Sequence, residues 1–259
     1  MKVLLIDVGN TRIKWQLVVA RRGGTLRSAA WNGRNLDAVA TRLCAGAAGA
    51  TAVYVCSVAE RRSGPALRRA ARRAGLPRPV FVRSARKAAG VTNAYREAWR
   101  LGVDRWMALI GARALYPDRA ICIIDIGTAM TVDLMDRKGR HRGGAIIPGP
   151  RMMVESLLSR TAQIRERAGL GRRVASRRNV AGLFARDTQR GLKAGATHAC
   201  AAFIEHAWLE ASALLRERPV LLLTGGAAEL VGRRFRGRAN FVDDLVLQGL
   251  AVLANTASR

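Results

Sequence analysis

Short apolar runs alternate with amphipathic segments along the chain, a pattern that is typical of an α/β protein. The first part of the sequence predicts strands, and helices between and after them. The predicted strands are Val3–Val8, Arg12–Val19, Thr25–Trp31, Ala52–Ser57 and Val80–Val82. The predicted helices are Leu36–Ala45, Pro65–Ala74 and Val103–Tyr116, the last ended by Pro117.

The second part of the chain repeats this alternation. It predicts strands at Ala120–Ile126, Met130–Met135, Gly143–Ile147 and Val220–Thr224. It predicts helices at Met152–Ser159, Thr188–Leu215 and Asp243–Ala254. The polar, arginine-rich segment Glu166–Arg178 is predicted to be a mobile loop.

A five-residue pattern occurs twice, at residues 5–9 and 123–127, which are 118 positions apart. Both copies read apolar, Ile, Asp, apolar, Gly, and in each the first four residues end one predicted strand and a second predicted strand follows. We therefore predict two related halves, 1–118 and 119–259, each opening with a strand–turn–strand hairpin.

The chain has 259 residues, of which 49% are hydrophobic, so it can build one or two cores. Its formal net charge is +27, and only five of its 45 basic residues are lysine. Such a charge fits a polyanion-binding surface, or it reflects a compositional bias towards arginine. The basic residues are scattered and no nucleic-acid-binding motif accompanies them, so specific nucleic-acid binding is not expected.

The cysteines Cys44, Cys56, Cys122 and Cys200 form no C-x-x-C pair and suggest no disulfide framework. The first residues do not form a signal peptide, because Asp7 interrupts the short apolar run. No stretch of 18 apolar residues occurs. The sequence thus predicts a soluble, cytoplasmic protein without membrane association.

The segment Asp7–Lys14 is a candidate phosphate site, although the chain has neither a P-loop nor a G-x-G-x-x-G motif. Gly9 permits close approach of phosphate to the backbone, and Asn10 and Thr11 supply donors. Lys14 adds a cation, and Asp7 at a strand end can hold hydrated Mg²⁺. The alternative is an ordinary hairpin with a polar tip.

The segment Gly102–Trp106 places an acid and a base at the start of a helix. Asp104 could accept a proton from an attacking hydroxyl, and Arg105 could grip a carboxylate with two hydrogen bonds. The helix N-terminus itself favours an anion. The alternative is that Asp104 caps the helix and Arg105 is exposed.

Two aspartate hairpins followed by the turn Thr224–Ala228 resemble the nucleotide grip of the acetate-kinase/sugar-kinase/actin superfamily. The resemblance implies two duplicated ribonuclease-H-like halves with an interdomain nucleotide cleft. In such a grip the hairpins hold phosphates and metal, and the late glycine turn lies under the adenosine.

Five motifs in this order resemble those of type III pantothenate kinases. They are D-x-G-N-T-x-x-K at Asp7–Lys14, G-x-D-R-W at Gly102–Trp106, D-x-G-T at Asp125–Thr128, G-G-x-I-x-P-G at Gly143–Gly149 and T-G-G at Thr224–Gly226. The G-x-D-R-W element distinguishes this family from other kinases of the superfamily.

The resemblance implies ATP-dependent phosphorylation of pantothenate, the first step of coenzyme A synthesis, with Asp104 as general base. ATP phosphates would be bound by Asp7, Val8, Gly9, Asn10, Thr11, Arg12, Ile13, Lys14 and Thr128. Pantothenate would be contacted by Tyr95, Gly102, Val103, Asp104, Arg105 and Thr188.

The resemblance also implies Mg²⁺ near Asp7, a monovalent cation (K⁺ or NH₄⁺) at Asp125 and a homodimer. Two other functions remain open from the sequence. One is another phosphotransferase of the superfamily, against which Gly102–Trp106 argues. The other is a basic regulatory or nucleic-acid-associated protein.

Overall fold

A computed structural model describes residues 2–20, 22–32, 34–168 and 182–256. Contacts divide the chain into two compact units. Unit 1 comprises Met1–Arg119, Met135–Gly143 and Asp244–Arg259, and unit 2 comprises Ala120–Leu134 and Gly144–Asp243.

Strands and helices alternate through the described residues. The strands are β1 (Lys2–Val8), β2 (Arg12–Val19), β3 (Arg22–Gly23), β4 (Arg27–Ala30), β5 (Ala52–Ser57), β6 (Val80–Phe81), β7 (Lys87–Ala88), β8 (Val91–Thr92), β9 (Ile121–Ile126), β10 (Ala129–Met135), β11 (His141–Pro148), β12 (Val220–Thr224) and β13 (Asn240–Phe241). The helices are α1 (Leu36–Ala45), α2 (Glu60–Arg73), α3 (Val103–Leu115), α4 (Pro150–Arg160), α5 (Ala162–Arg167), α6 (Thr188–Leu215), α7 (Ala228–Gly232) and α8 (Leu245–Thr256).

The main sheet of unit 1 has the order β3-β2-β1-β5-β6, and β4 also pairs with β2. β1 and β2 form an antiparallel hairpin, while β1, β5 and β6 are parallel. Leu4, Ile6 and Val8 join a core with α1 and α2. Val3 and Leu5 point to the opposite face and are also buried, and α8 packs on β1. Burial on both faces explains why β1 is an unbroken apolar run.

The sheet of unit 2 has the order β11-β10-β9-β12-β13. β9, β12 and β13 are parallel, as are β1, β5 and β6 in unit 1. Each unit therefore contains an opening hairpin, and two parallel strands follow the first strand of that hairpin in the order of the sheet. This shared strand order is the one expected of two related halves.

The last helix, α8, packs closely on α3 within unit 1. A Cβ atom added to Gly249 would lie 2.0 Å from the Met107 carbonyl oxygen, and one on Gly111 would lie 2.6 Å from that of Leu245. The two glycines allow the helix backbones to touch. By contacts, residues 135–143 and 244–259 thus belong with unit 1. The predicted single boundary after residue 118 differs from this division.

Most predicted elements are confirmed, with ends that differ by a few residues. α2 differs more, since it begins at Glu60 and contains Pro65 in its interior. The sequence suggested Pro65 as a first helical residue, where proline is favoured. Of the predicted loop Glu166–Arg178, Glu166 and Arg167 end α5. Residues 169–181 lie outside the described part of the chain.

Candidate functional site

The first hairpin places Asp7 near the end of β1, directly opposite Lys14 on β2 and Cys56 on β5. The residues that connect β1 to β2 are held by hydrogen bonds from Trp31, which lies outside the hairpin. The Gly9 carbonyl accepts from the Trp31 indole at 2.9 Å, and the Thr11 carbonyl accepts from the Trp31 amide at 3.1 Å. Trp31 is buried, so it holds the exposed tip in one conformation.

Within the same segment, Val8 and Ile13 are core residues, whereas Asn10, Thr11 and Arg12 are exposed. The Arg12 guanidinium donates to Ser28 Oγ at 2.8 Å. The predicted phosphate segment therefore divides into an anchored part and an accessible tip.

Lys14 forms an ion pair with Asp244, with 2.5 Å between Nζ and Oδ1. Both side chains are largely shielded from solvent, so this pair is screened less than a surface pair. Asp244 precedes α8 and has a left-handed backbone, with φ of 52°. The cation of the first hairpin is thus held by a carboxylate that the sequence analysis did not single out.

Asp7, Cys56 and Asp104 lie on elements that pack together in unit 1, because β1 pairs with β5, where Asp7 is opposite Cys56, and α3 packs on β5. Burial raises the pKa of Cys56 well above its usual range, and the negative charges of Asp7 and then Asp104 raise it further. The two carboxylates are far apart in sequence. The strand pairing and the packing of α3 on β5 place the predicted metal residue and the helix of the predicted base in one neighbourhood of unit 1.

Asp104 is the second residue of α3, whose N-cap residue is Gly102. Its Oδ1 accepts from the backbone N–H of Arg105 at 2.8 Å. A Cβ atom on Gly102 would lie 2.7 Å from that same Oδ1, so glycine leaves room for the carboxylate. The alternative of Asp104 as cap with an exposed Arg105 is wrong, because Gly102 is the N-cap and Arg105 is only 6% exposed.

Arg105 and Tyr95 form a cluster in unit 1. The guanidinium donates to the Tyr95 hydroxyl at 3.1 Å. Its central carbon lies 5.9 Å from the centroid of the same ring. The structure therefore brings together two residues that the family resemblance places at one substrate site.

In unit 2, three separate motifs meet at the end of β9. Asp125 lies opposite Thr224 of β12, and a Cβ atom on Gly225 would lie 2.3 Å from Asp125 Oδ1. The Gly149 amide donates to the Thr128 carbonyl at 2.9 Å. The half-buried Asp125 and Thr128 are therefore built into a layer of tightly packed turns.

A cavity of about 500 Å³ opens beside the glycine turn of unit 2. Leu223, Leu230 and Phe241 give it an apolar part, and Glu229 and Arg233 give it a charged part. Its remaining lining residues are Thr224, Gly225, Gly226, Ala228 and Asp243. The lining is polar and apolar in about equal parts, so the cavity can contact both kinds of group on a small molecule.

Within the described residues, no group of three or more His, Cys, Asp or Glu side chains could hold a metal by itself. Single carboxylates such as Asp7 and Asp125 instead fit hard cations that keep most of their ligands from water and substrate phosphates. Thr188 is the first residue of α6 in unit 2, whereas Tyr95 and Gly102–Arg105 belong to unit 1. Its assignment to the pantothenate site stays a prediction.

Sequence reasoning missed Trp31, Asn93, His141 and Asp244. Asn93 is only 1% exposed and lies in the Asn93-Ala94-Tyr95 segment, so its place beside a predicted substrate residue was an available signal. Trp31, His141 and Asp244 contact residues that are 20 to 230 positions away in sequence, and nothing in their local pattern indicated these partners.

The fold is that of the acetate-kinase/sugar-kinase/actin superfamily. A ROK family glucokinase from Streptomyces griseus, solved with glucose and AMPPNP, aligns with a TM-score of 0.52, 14% identity and coverage of 99% of this chain and all of that chain. An acetate kinase from Porphyromonas gingivalis aligns equally well, at 12% identity and 99% coverage of both chains. A Baf family transcriptional activator from Campylobacter jejuni gives 0.60 at 16% identity, covering 99% of this chain and all of that chain.

The chain belongs to the type III pantothenate kinase family, whose pattern matches residues 3–210. A type III pantothenate kinase from Burkholderia multivorans is 38% identical, over 98% of this chain and 97% of the relative. One from Halorhodospira halophila is 42% identical, over 74% of each.

Proposed function

We propose that this protein transfers the γ-phosphoryl group of ATP to the primary hydroxyl of pantothenate. This is the first step of coenzyme A synthesis. The observation that carries the proposal is the packing of α3 on β5, the strand that pairs with β1, because it joins a phosphate hairpin to the helix of a candidate proton acceptor in one unit. Family membership over most of the chain supports the choice of pantothenate.

In this proposal Asp104 accepts the hydroxyl proton as the hydroxyl oxygen attacks phosphorus. The carboxylate sits in the first turn of α3 and is oriented by the Arg105 amide. Arg105 and Tyr95 bind the carboxylate of pantothenate, with Gly102 and Val103 lining the same helix start. Phosphoryl transfer depends mainly on such positioning and on charge neutralisation.

Each unit, taken by itself, contains candidate groups for binding ATP. In unit 1, the exposed tip at Asn10–Arg12 and the Lys14 cation bind phosphate oxygens. In unit 2, Thr128 binds phosphate, and the cavity beside Gly225 takes the adenosine. Mg²⁺ bound near Asp7 would neutralise charge on the phosphates, and Asp7 would hold it through water.

We assign the monovalent cation, K⁺ or NH₄⁺, to Asp125. Its carboxylate lies against Gly225, and the Ile126 carbonyl oxygen, which lies against the same glycine, would add an oxygen ligand. A half-buried carboxylate with carbonyl neighbours suits a large cation of single charge.

We further propose a homodimer and a cytoplasmic location. The exposed apolar side chains Leu157 of α4 and Leu209 and Leu214 of α6 offer a surface to a second copy in unit 2. Sedimentation at assay concentration and high salt would test this, and a fully active monomer would reject it.

Free, buried cysteines suit a reducing compartment, and no helix among the described residues is long and apolar enough to cross a bilayer.

A coupled assay that follows ADP release, with and without pantothenate, tests the function. We expect ADP release to require pantothenate and to yield phosphopantothenate by mass spectrometry. K⁺ or NH₄⁺ should stimulate the rate, whereas full activity in a buffer with Na⁺ alone would reject the cation site. Turnover of another hydroxyl substrate, with none of pantothenate, would instead indicate a different phosphotransferase of the superfamily.

A further inference from the structure

The buried histidine His141 stacks on Tyr95 within unit 1. The ring centroids lie 6.0 Å apart, and the ring planes differ by only 13°. His141 is 3% exposed, so its ring is part of the interior rather than of the surface. The sequence motifs of the family resemblance do not include it.

The chain segment that carries His141 is fixed next to the Tyr95 segment. Arg140 forms a β-bridge with Thr92, and the Thr92 amide donates to the Gly139 carbonyl at 2.9 Å. Gly139 has a φ of 74°, and a Cβ atom there would lie 2.0 Å from the Gly90 carbonyl oxygen. The backbone next to His141 is therefore packed tightly against the β7–β8 hairpin, which fixes its position.

The Tyr95 backbone is also fixed, by hydrogen bonds with the side chains of Asn93 and Arg86. Asn93 Oδ1 accepts from the Tyr95 amide at 2.9 Å, and Asn93 Nδ2 donates to the carbonyls of Ala85 and Ala98. Arg86 donates to the Tyr95 carbonyl at 2.8 Å. With the backbone fixed, the orientation of the phenol depends on what its ring contacts.

Arg105 and His141 both lie against the Tyr95 side chain. Arg105 donates to the hydroxyl at 3.1 Å, and the imidazole of His141 lies nearly parallel to the ring, with 6.0 Å between the two centroids. If the ring turned away from His141, its hydroxyl would leave the Arg105 guanidinium. The stack therefore fixes the relative position of the two groups that are proposed to bind the substrate carboxylate.

We propose that His141 is a positioning residue for the anion-binding pair Tyr95 and Arg105, acting through the flat face of its ring. It touches neither ATP nor the reacting hydroxyl. It sets the affinity for the acidic substrate by holding the Tyr95 phenol in line with Arg105. This inference rests on the proposed function, which supplies the substrate.

Two variants of His141 distinguish the effect of a planar ring from the effect of side-chain volume alone. His141→Phe keeps a planar ring, and His141→Leu fills similar space without one. Stacked pairs contribute modestly, so we expect His141→Leu to raise the KM for pantothenate about three- to tenfold. The kcat should change less than about threefold and the KM for ATP should not change, because uniform binding of one substrate is lost. His141→Phe should restore a KM within about twofold of the wild-type value.

His206→Ala, at an exposed position of α6, serves as the control and should match the wild type. Equal KM values for the Leu and Phe variants would overturn the inference. A parallel rise in the KM for ATP would do the same, because it would indicate a general loss of structure.

A second measurement does not depend on turnover. The chain has three tyrosines, so fluorotyrosine labelling gives three ¹⁹F signals, and Tyr95→Phe assigns one of them. His141→Leu should move the Tyr95 signal towards that of free fluorotyrosine and leave the other two in place. An unmoved signal would overturn the positioning role. If the wild type does not phosphorylate pantothenate, the proposed function fails, and this signal still decides the role of His141.

Discussion

At the scale of single residues, Gly225 shows how backbone geometry supports a candidate site. It has a φ of 94°, which L side chains rarely adopt, and a Cβ atom there would meet Asp125 Oδ1 and the Ile126 backbone. The neighbouring Gly226 has open space around its Cα. The two glycines of one T-G-G motif therefore have different physical roles.

We predict that Gly225→Ala lowers the free energy of unfolding by about 1–3 kcal/mol, because it adds both backbone strain and a clash. Gly226→Ala, the matched control, should change it by less than about 0.5 kcal/mol. Urea unfolding of both variants measures this. Equal losses would show that the turn tolerates a side chain at Gly225.

The residues that sequence reasoning found share a local signature. Asp7, Asp104 and Asp125 each interrupt or begin a regular element, so an acid stands out from its neighbours. Asp244 and His141 do not stand out in this way. Their roles follow from contacts with Lys14 and Tyr95, which are 230 and 46 positions away, and such contacts exist only in the folded chain.

At the scale of elements, the packing of α3 on α8 determines how the start of α3 is presented. The backbone contact at Gly249 and Met107 lies only one helical turn from Asp104. Any side chain at residue 249 would force the helices apart.

We predict that Gly249→Ala destabilises the protein by about 1–3 kcal/mol, because the added methyl overpacks the helix contact. Gly195→Ala on α6 is the control, since nothing lies within 4 Å of that position. It should stabilise by about 0.5–1 kcal/mol through helix propensity alone. Thermal or urea unfolding gives both values, and a neutral Gly249→Ala would contradict the close packing.

Strands and helices were predictable where burial imposes a clear pattern, as in β1, β5, α1 and α6. Two-residue strands such as β7 and β8 are too short to carry a pattern. The early start of α2 was missed because Pro65 resembles a helix start, although the helix tolerates it inside. The pairing of α8 with unit 1 depends on glycines whose close contacts cannot be inferred from sequence.

At the scale of the whole molecule, part of the net charge of +27 lies on described arginines that contact aromatic rings. Several guanidinium groups stack on aromatic rings, as arginine does more readily than lysine. These pairs are Arg42 on Trp15, Arg62 on Trp31, Arg68 on Phe81, Arg100 on Trp99, and Arg218 on Trp208.

We therefore predict weak nucleic-acid binding without sequence preference. Binding of labelled DNA, measured by fluorescence anisotropy, should fall at least about tenfold between 50 and 200 mM salt because released counterions drive it. Two DNA sequences of equal length should bind alike. Selective binding of one sequence near physiological salt would instead favour a regulatory role.

The most direct test of the whole account is the kinetic effect of Asp104→Asn. Asp37 is a matched control, because it too is the second residue of its helix, α1, and its side chain is 68% exposed. If Asp104 is the general base, Asp104→Asn should lower the kcat for pantothenate phosphorylation about 10²- to 10⁴-fold while ATP affinity stays nearly unchanged. Asp37→Asn should leave the kcat unchanged. An Asp104→Asn enzyme within a few-fold of wild-type kcat would contradict the account.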